Sequence, residues 1–396
     1  MGLELAEIFR QFPVECRNSD QARAVAAIRD CRTAELGGHL QRCNQCGHSE
    51  PLYNSCRNRH CPKCQSLERA EWAERRRAEL LPIPYYHVVF TMPQELAAIA
   101  LQNQKLLYEI LFCASAQALL EVAANPKFLG ARVGLVSVLH TWSQTLIHHP
   151  HIHCLVPGGG LSLAGGEWVN CKAGFFLPVR VLSARYRTLF LASLQELKIE
   201  SFILQGDLAK FSKPAKLQGL ISRLHRKKWV VFIQAPYSDP DAIVQYQARY
   251  ANRTALTNDR LLELEHDQVK LSWKDYRQNS ARKTMSLDVL EFVRRFLQHV
   301  LPRGFARIRY YGALANRNKQ AFLAAGFSLL EAEPIRLEVP KSWRQRFLQL
   351  TGREPDMCGQ CRLGRLTKVK EIESLRDIRW RRARLPPLPS STRGPP

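Results

Sequence analysis

The sequence predicts a mixed α/β or α+β sheet domain, preceded by a small cysteine-rich domain and followed by a helical segment with a basic tail. Three observations carry this. Strand-like and helix-like runs alternate between about residues 84 and 320. Seven of the 12 cysteines fall within residues 1–80, and a chain of 396 residues has length for more than one hydrophobic core. The opening MGLELAEIFR lacks a basic start and apolar run, and no stretch is expected to reach the length of a membrane span. A reducing cytoplasmic location follows as the expectation, so the cysteines are read as metal ligands and not as a disulfide framework.

The elements follow in order. SDQARAVAAIRD carries a serine-aspartate cap signal and apolar positions at helical spacing, and ERAEWAERRRAELL is a basic helical exit before Pro82 and Pro84. Strands are expected at 85–92, 151–157, 228–234, 268–273 and 306–312. Helices are expected in ARVGLVSVLHTWSQTLI and DAIVQYQARYANR. Beyond 320 come further helical patterns, an isolated CGQC with Cys358 and Cys361, and a proline-rich basic tail. The expected boundaries are 1–80, 84–320 and 321–396.

A net charge of +23 points to a polyanionic partner, because basic surface neutralises phosphate and releases counterions. The cysteine region adds a specific signal. Two C-x-x-C knuckles, Cys43/Cys46 and Cys61/Cys64, stand at a separation suited to one four-thiolate zinc site, since such a knuckle lets two thiolates reach one tetrahedral ion. Cys31, His39, Cys56 and His60 flank them in nested order as a possible second site. Arg57 and Arg59 are placed to present charge to DNA from such a module.

Residues 146–160 read LIHHPHIHCLVPGGG. Strand alternation projects His151 and His153 together, while Ile152 and Cys154 face a core; Gly158, Gly159 and Gly160 are expected to turn the chain. Two imidazoles on one strand face are a convergent pair of metal ligands, and a third ligand is sought among Gln144, His149 and His148. In QYQARYANR, Tyr246 and Tyr250 are four apart on one helical face, with Arg249 and Arg253 close by. A phenol attacks phosphate only when its proton has somewhere to go and the phosphate is polarised; a histidine-held metal and arginines would supply that polarisation.

At these motifs the chain resembles the rolling-circle insertion-sequence transposases of the insertion sequence 91 group, within the HUH endonuclease superfamily. The resemblance runs to about residue 365 through CRTAELGGH, YNSCRNRHCPKCQ, HVVFTMP, LHTWSQTLIHHPHIHCLVPGGGLS, YQARYANRTALTNDRLL, KDYR, KTM and RRFLQHVLPRGFARIRYYG. It implies an α+β fold with an HUH-like antiparallel sheet and flanking helices behind a small zinc-binding domain. It implies that His151 and His153 are the metal-binding pair and that Tyr246 and Tyr250 are the two nucleophiles. A Mg²⁺ or Mn²⁺ cofactor, structural Zn²⁺ and single-stranded DNA at transposon ends and target are implied with them. So are a 5′-phosphotyrosine intermediate and a free 3′-OH. Gln144, seven residues before His151, is favoured as third ligand over His149. No phosphate-binding loop of the G-x-x-x-x-G-K-[ST] type is present, so no ATP is expected, and the expected location is the cytoplasm at the nucleoid.

Arg260, Lys274, Arg277 and Lys283 stand among aromatics in the same region, a mixture in which cations track phosphates and rings stack on bases. Other readings are a replication initiator or relaxase, which would share the strand and tyrosines, a histidine-triad nucleotide hydrolase reading His149-Pro-His151-Ile-His153, and a non-catalytic zinc-dependent DNA-binding protein.

Overall fold

The computed structural model describes residues 2–64, 75–237, 239, 242–243, 254–276, 278–335 and 342–382. The expected α+β composition forms and divides into two compact units. The larger comprises residues 1–3, 18–21 and 65–338, and the smaller comprises 4–17, 22–64 and 339–396. The three consecutive regions expected from composition are therefore corrected. Chain beyond residue 338 joins the N-terminal cysteine region, because it supplies a strand to that region's sheet.

The strands among the described residues begin with β1 (Gly38–Cys43), β2 (Ser49–Tyr53), β3 (Tyr85–Thr91), β4 (Ala131–Arg132) and β5 (Gly134–Trp142). They continue with β6 (His148–Pro157), β7 (Gly159–Ser162), β8 (Trp168–Asn170), β9 (Val231–Ile233) and β10 (Leu261–Glu265). Last come β11 (Gln268–Asp275), β12 (Ala281–Asp288), β13 (Ile308–Gly312) and β14 (Leu366–Ile372). Of the helices expected over 68–81 and 241–253, residues 68–74 of the first and all but 242–243 of the second lie outside the described residues.

The centre of the larger unit is a five-stranded antiparallel sheet in the order β13-β5-β6-β3-β9. Period-two alternation sends Tyr86, Val88 and Phe90 of β3 and Ile152, Cys154 and Val156 of β6 into one core with the helices Gln104–Ala124 and Val179–Gln195. His87, His151 and His153, one residue out of phase, occupy the opposite face. The Gln104–Ala124 helix is long and apolar enough to cross a membrane, contrary to the expectation that no stretch is. However, 67% of its most apolar window is buried inside the protein, as in a core helix.

One expected helix is a strand. ARVGLVSVLHTWSQTLI forms β4 and β5, and all nine residues of β5 are buried. A strand covered on both faces shows a continuous apolar run, which periodicity cannot separate from a buried helix, and its valines then favour the sheet. The three glycines after β6 also act differently from expectation. They make no left-handed turn; a Cβ on Gly158 would meet Pro84 O at 2.8 Å, and one on Gly159 would meet Trp168 Nε1 at 2.7 Å. Glycine here permits the close approach of β7 to its neighbours.

A second antiparallel sheet, β10-β11-β12, belongs to the same unit. His266 and Asp267 both take positive φ at its first hairpin, and Asn279 and Ser280 do so at its second. At the first, this is the backbone that matches a two-residue turn to strand twist; the second is a longer connection, from Asp275 to Ala281. The smaller unit is built on an antiparallel sheet β14-β1-β2. Pro51 lies on its edge strand, where a missing N–H costs no ladder bond. Behind β14 the helix Leu375–Arg382 is tied back by Arg376 to Asp30 at 2.6 Å and by Ser374 Oγ to Glu35 O at 2.8 Å.

Candidate metal centres and DNA cleft

Pairing of β5 with β6 sets His140 directly across from His151, and His153 follows two residues on. One ring nitrogen from each of His140, His151 and His153 lies within 4.8 Å of the other two. The ring centroids of His140 and His153 are 4.5 Å apart, and those of His151 and His153 are 4.7 Å apart.

Hydrogen bonds select which nitrogens converge. Nδ1 of His151 lies 2.6 Å from the carbonyl oxygen of His149, to which it donates, so the Nε2 lone pair is left for a ligand. His87 Nδ1–H donates to Gln234 Oε1 at 3.3 Å, which makes His87 Nε2 an acceptor. His153 Nδ1–H then donates to that nitrogen at 2.7 Å, and again Nε2 carries the lone pair. Burial pushes His87 and His151 down to about 4, so both rings are neutral at pH 7. His151 and His153 are thus oriented through their far nitrogens, and imidazole nitrogens turned inward in this way are donors that a divalent ion can use. The geometry fits a metal.

The third position is a correction. The sequence favours Gln144 there, with His149 as the alternative, but His140 completes the group. Gln144 lies beyond the end of β5, past an irregularity between His140 and Trp142, and not on a preceding helix. Its amide Nε2 donates to the Tyr276 hydroxyl at 3.1 Å, and its Oε1 accepts from the Lys274 N–H at 3.5 Å. His149 contributes its carbonyl to His151, and its ring lines the cleft. His148 is buried on the core side, where its Nε2 meets the Tyr108 hydroxyl at 2.7 Å.

The histidines open into a cleft of about 550 Å³, lined also by Trp142, Gln144, Trp273, Lys274, Asp275 and Tyr276. Tyr276 is 65% exposed, and Lys274 is exposed beside it. Lys283 pairs with Asp275 at 2.8 Å and lies 5.6 Å from the centre of the Trp273 ring. Cations beside exposed rings suit a nucleic-acid strand. Arg260 does not belong to that set. Only 9% exposed, it donates from Nε to Ser272 O at 3.0 Å, from Nη1 to Ala255 O at 3.4 Å and from Nη2 to Gln144 O. A buried guanidinium spanning three carbonyls is a structural tie, and its expected role on DNA is corrected accordingly. Tyr246, Tyr250, Arg249, Arg253 and Arg277 lie outside the described residues.

The cysteines group in a second unexpected way. Sγ atoms of Cys31, Cys56, Cys61 and Cys64 all lie within 4.8 Å of one another, with Cys31–Cys64 at 3.4 Å and Cys56–Cys64 at 3.6 Å. A tetrahedral zinc with Zn–S bonds of about 2.3 Å has sulfur–sulfur edges of about 3.8 Å, so this set fits zinc. Cys43 and Cys46 are not part of it; they meet Cys358 and Cys361. The expected grouping of the two N-terminal knuckles is corrected, since spacing within a knuckle fixes a pair of ligands but not which pair faces it. His39 bonds to Gln41 Nε2 at 3.1 Å, and neither it nor His60 enters a cluster. Arg57 is exposed and Arg59 half-buried beside the first cluster.

His140 and His87 were missed from the sequence. The signal for both was the same as for His151, a histidine at an alternating position of a β-rich run. Around His140 that signal is masked, because every residue of β5 is buried.

A cysteine-rich unit fitted for zinc, and a sheet whose histidines open onto an aromatic cleft carrying Lys274, define a zinc-binding protein with a cleft suited to a nucleic-acid strand. Family comparisons agree. A family described as "Transposase zinc-binding domain" matches residues 5–92, and one described as "Putative transposase" matches residues 134–321. Over 94% of this chain and 96% of the relative, it is 46% identical to "Putative transposase y4qJ" of Sinorhizobium fredii. It is 28% identical to the "Transposase for insertion sequence element IS801" of Pseudomonas savastanoi pv. phaseolicola, over 75% of this chain and 71% of that one. No solved structure matches. The chain belongs to the insertion sequence 91 family of transposases, enzymes that bind, cut and rejoin DNA, and carries the family's zinc-binding domain.

Proposed function

We propose that this transposase moves its element by a rolling-circle route, nicking and transferring single-stranded DNA through tyrosine. The observation that carries the reading is the convergence of His140, His151 and His153 on a cleft edged by Lys274, Trp273 and Tyr276. A divalent ion held by the three imidazoles would polarise the scissile phosphate. The donor set suits Mn²⁺ or another transition metal better than Mg²⁺, which prefers oxygen ligands.

His87 fixes the ring of His153, and the His149 carbonyl fixes that of His151. Tyr276 offers a ring to a splayed base, and Lys274 a charge to the backbone. Tyr246 or Tyr250 then attacks phosphorus as the phenolate. A bond forms between the phenolic oxygen and phosphorus, the bond to the 3′ oxygen breaks, and that oxygen takes up a proton to leave as a 3′-OH. Attack on the phosphotyrosine by the 3′-OH of a second strand reverses the step and frees the tyrosine. Bond energy is conserved, so the reaction needs no ATP. Two tyrosines allow consecutive cleavages on donor and target. The proposed place of action is the nucleoid in the cytoplasm.

Incubation with a single-stranded oligonucleotide carrying a candidate element end and Mn²⁺ should give a covalent adduct that maps to Tyr246 or Tyr250. Loss of the adduct in Tyr246→Phe/Tyr250→Phe supports the reading. Undiminished cleavage by that double variant overturns it.

A further inference from the structure

The cysteines left over from the first cluster form a site of their own. Cys43 and Cys46 bracket the turn that leaves β1, while Cys358 and Cys361 precede β14. Antiparallel pairing places Leu366, at the start of β14, opposite Cys43, at the end of β1. Both turns therefore arrive at the same end of the sheet.

Reciprocal hydrogen bonds, one backbone to backbone and one backbone to side chain, hold them face to face. The Asn44 N–H donates to Arg365 O at 3.1 Å, and the Arg365 N–H donates to Asn44 Oδ1 at 2.8 Å. Across the gap, Cys43 Sγ lies 3.7 Å from Cys361 Sγ and Cys46 Sγ lies 3.8 Å from Cys358 Sγ. All four sulfurs are within 4.8 Å of one another. Those edges are close to the roughly 3.8 Å of a tetrahedral tetrathiolate zinc and far from the roughly 2.05 Å of a disulfide.

Each turn also aims a backbone N–H at a sulfur. Gln45 N–H donates to Cys43 Sγ at 3.4 Å, and Gly364 N–H donates to Cys361 Sγ at 3.3 Å. Such bonds favour the thiolate over the thiol. Gly364 has no room for a side chain, since a Cβ would overlap Cys43 Sγ and come within 2.7 Å of Gln45 Cβ. The C-terminal turn is thus shaped to sit on the N-terminal one.

We propose that Cys43, Cys46, Cys358 and Cys361 bind a second structural zinc ion, separate from that of Cys31, Cys56, Cys61 and Cys64. This ion closes the smaller unit between segments 312 residues apart from Cys46 to Cys358. The zinc module of this chain is then not confined to its N-terminal part. It is completed only when the C-terminal segment has been made and has paired with β1. The site does not rest on the tyrosine mechanism and stands or falls separately from it.

Zinc content of the purified full chain, measured by elemental mass spectrometry, tests the proposal. Cys358→Ser/Cys361→Ser should lose one zinc equivalent relative to the parent, and Cys43→Ser/Cys46→Ser should lose the same one. The quadruple variant should lose no more than either pair. Unchanged zinc in Cys358→Ser/Cys361→Ser, or losses that add, overturns it.

A second measurement needs no variant and so survives a folding failure. Cys46 is exposed, so its protection from iodoacetamide reports the metal and not burial. In the zinc-loaded chain Cys46 should resist alkylation together with Cys358, and chelation should release both. Full alkylation of Cys46 before chelation, or a Cys43–Cys361 disulfide in the native protein, contradicts the site.

Discussion

The histidine site and the cysteine unit gather ligands in opposite ways. His140, His151 and His153 come from two strands that are neighbours in both sequence and space, so one hairpin-like pairing assembles the site. The second cysteine cluster draws two ligands from near residue 45 and two from near residue 360, and only a sheet pairing between distant segments unites them. The first kind of site is held by the fold of its own domain. The second kind helps to hold the fold, because structural zinc contributes folding free energy directly. Metal removal should therefore affect the two differently. Chelation should leave β5 and β6 protected from amide hydrogen exchange while β1 and β14 lose protection together. Loss of protection in β1 with β14 unchanged would break the link between the two segments.

The sharpest effect is expected at His140, the proposed third ligand. His140→Ala should lower single-turnover cleavage of single-stranded DNA by about 10²- to 10³-fold, the scale seen when a group stabilising transition-state charge is lost. Gln144→Ala, which removes contacts to Tyr276 and Lys274 only, should cost far less. The reverse order would restore the glutamine to the metal and sink the histidine trio. Next in size is His87, which touches no ion and acts by orienting His153. His87→Ala should weaken metal affinity by about 10- to 100-fold, with His87→Gln recovering part of it. A change in kcat at saturating metal with no change in metal affinity would argue against that positioning role.

How much of this is legible in the sequence depends on whether the signal is local. The strand carrying His151 and His153, the helix Ser19–Asp30 and the strands near 85, 268 and 308 were legible, because alternation and capping are local signals. His140 was hidden by burial on both faces, which erases the alternation that marks a strand. Cys358 and Cys361 were visible as a knuckle but not as partners, since nothing in spacing encodes which distant strand pairs with β1. Arg260 looked like its neighbours Lys274 and Lys283, and only the three carbonyls around it show the difference.

A pH effect distinguishes the sheet domain from the cysteine unit at an intermediate scale. Burial holds His148 down to about 4 and His299 to about 3. In the unfolded chain both return to about 6.5. The unfolded state therefore takes up protons first as pH falls, and the stabilisation present above 6.5 is lost progressively from there down to about 4 for His148 and about 3 for His299. The melting temperature of the larger unit should fall on going from pH 7.5 to pH 5. His299→Gln should flatten that dependence even if it lowers the starting stability. An unchanged slope in His299→Gln would remove this histidine from the cause. His148 and His299 are preferable to His151 for this test, since the latter's protonation also governs metal binding.

The smallest effects separate structure from DNA contact within the cleft. Arg260→Ala leaves carbonyls of Ser272, Ala255 and Gln144 without their donor, at about 1–3 kcal/mol per unsatisfied buried group. Its expected signature is a lower melting temperature with little change in the salt dependence of DNA binding. Lys274→Ala should do the opposite. An exposed lysine on a phosphate contributes one released counterion, so the slope of log affinity against log salt should shrink by about 0.7 for a single strand, with the melting temperature unchanged. If Arg260→Ala instead reduced the slope while the protein kept its stability, the guanidinium would have to reach the strand. Its three carbonyl bonds would then be features of the DNA-free state alone.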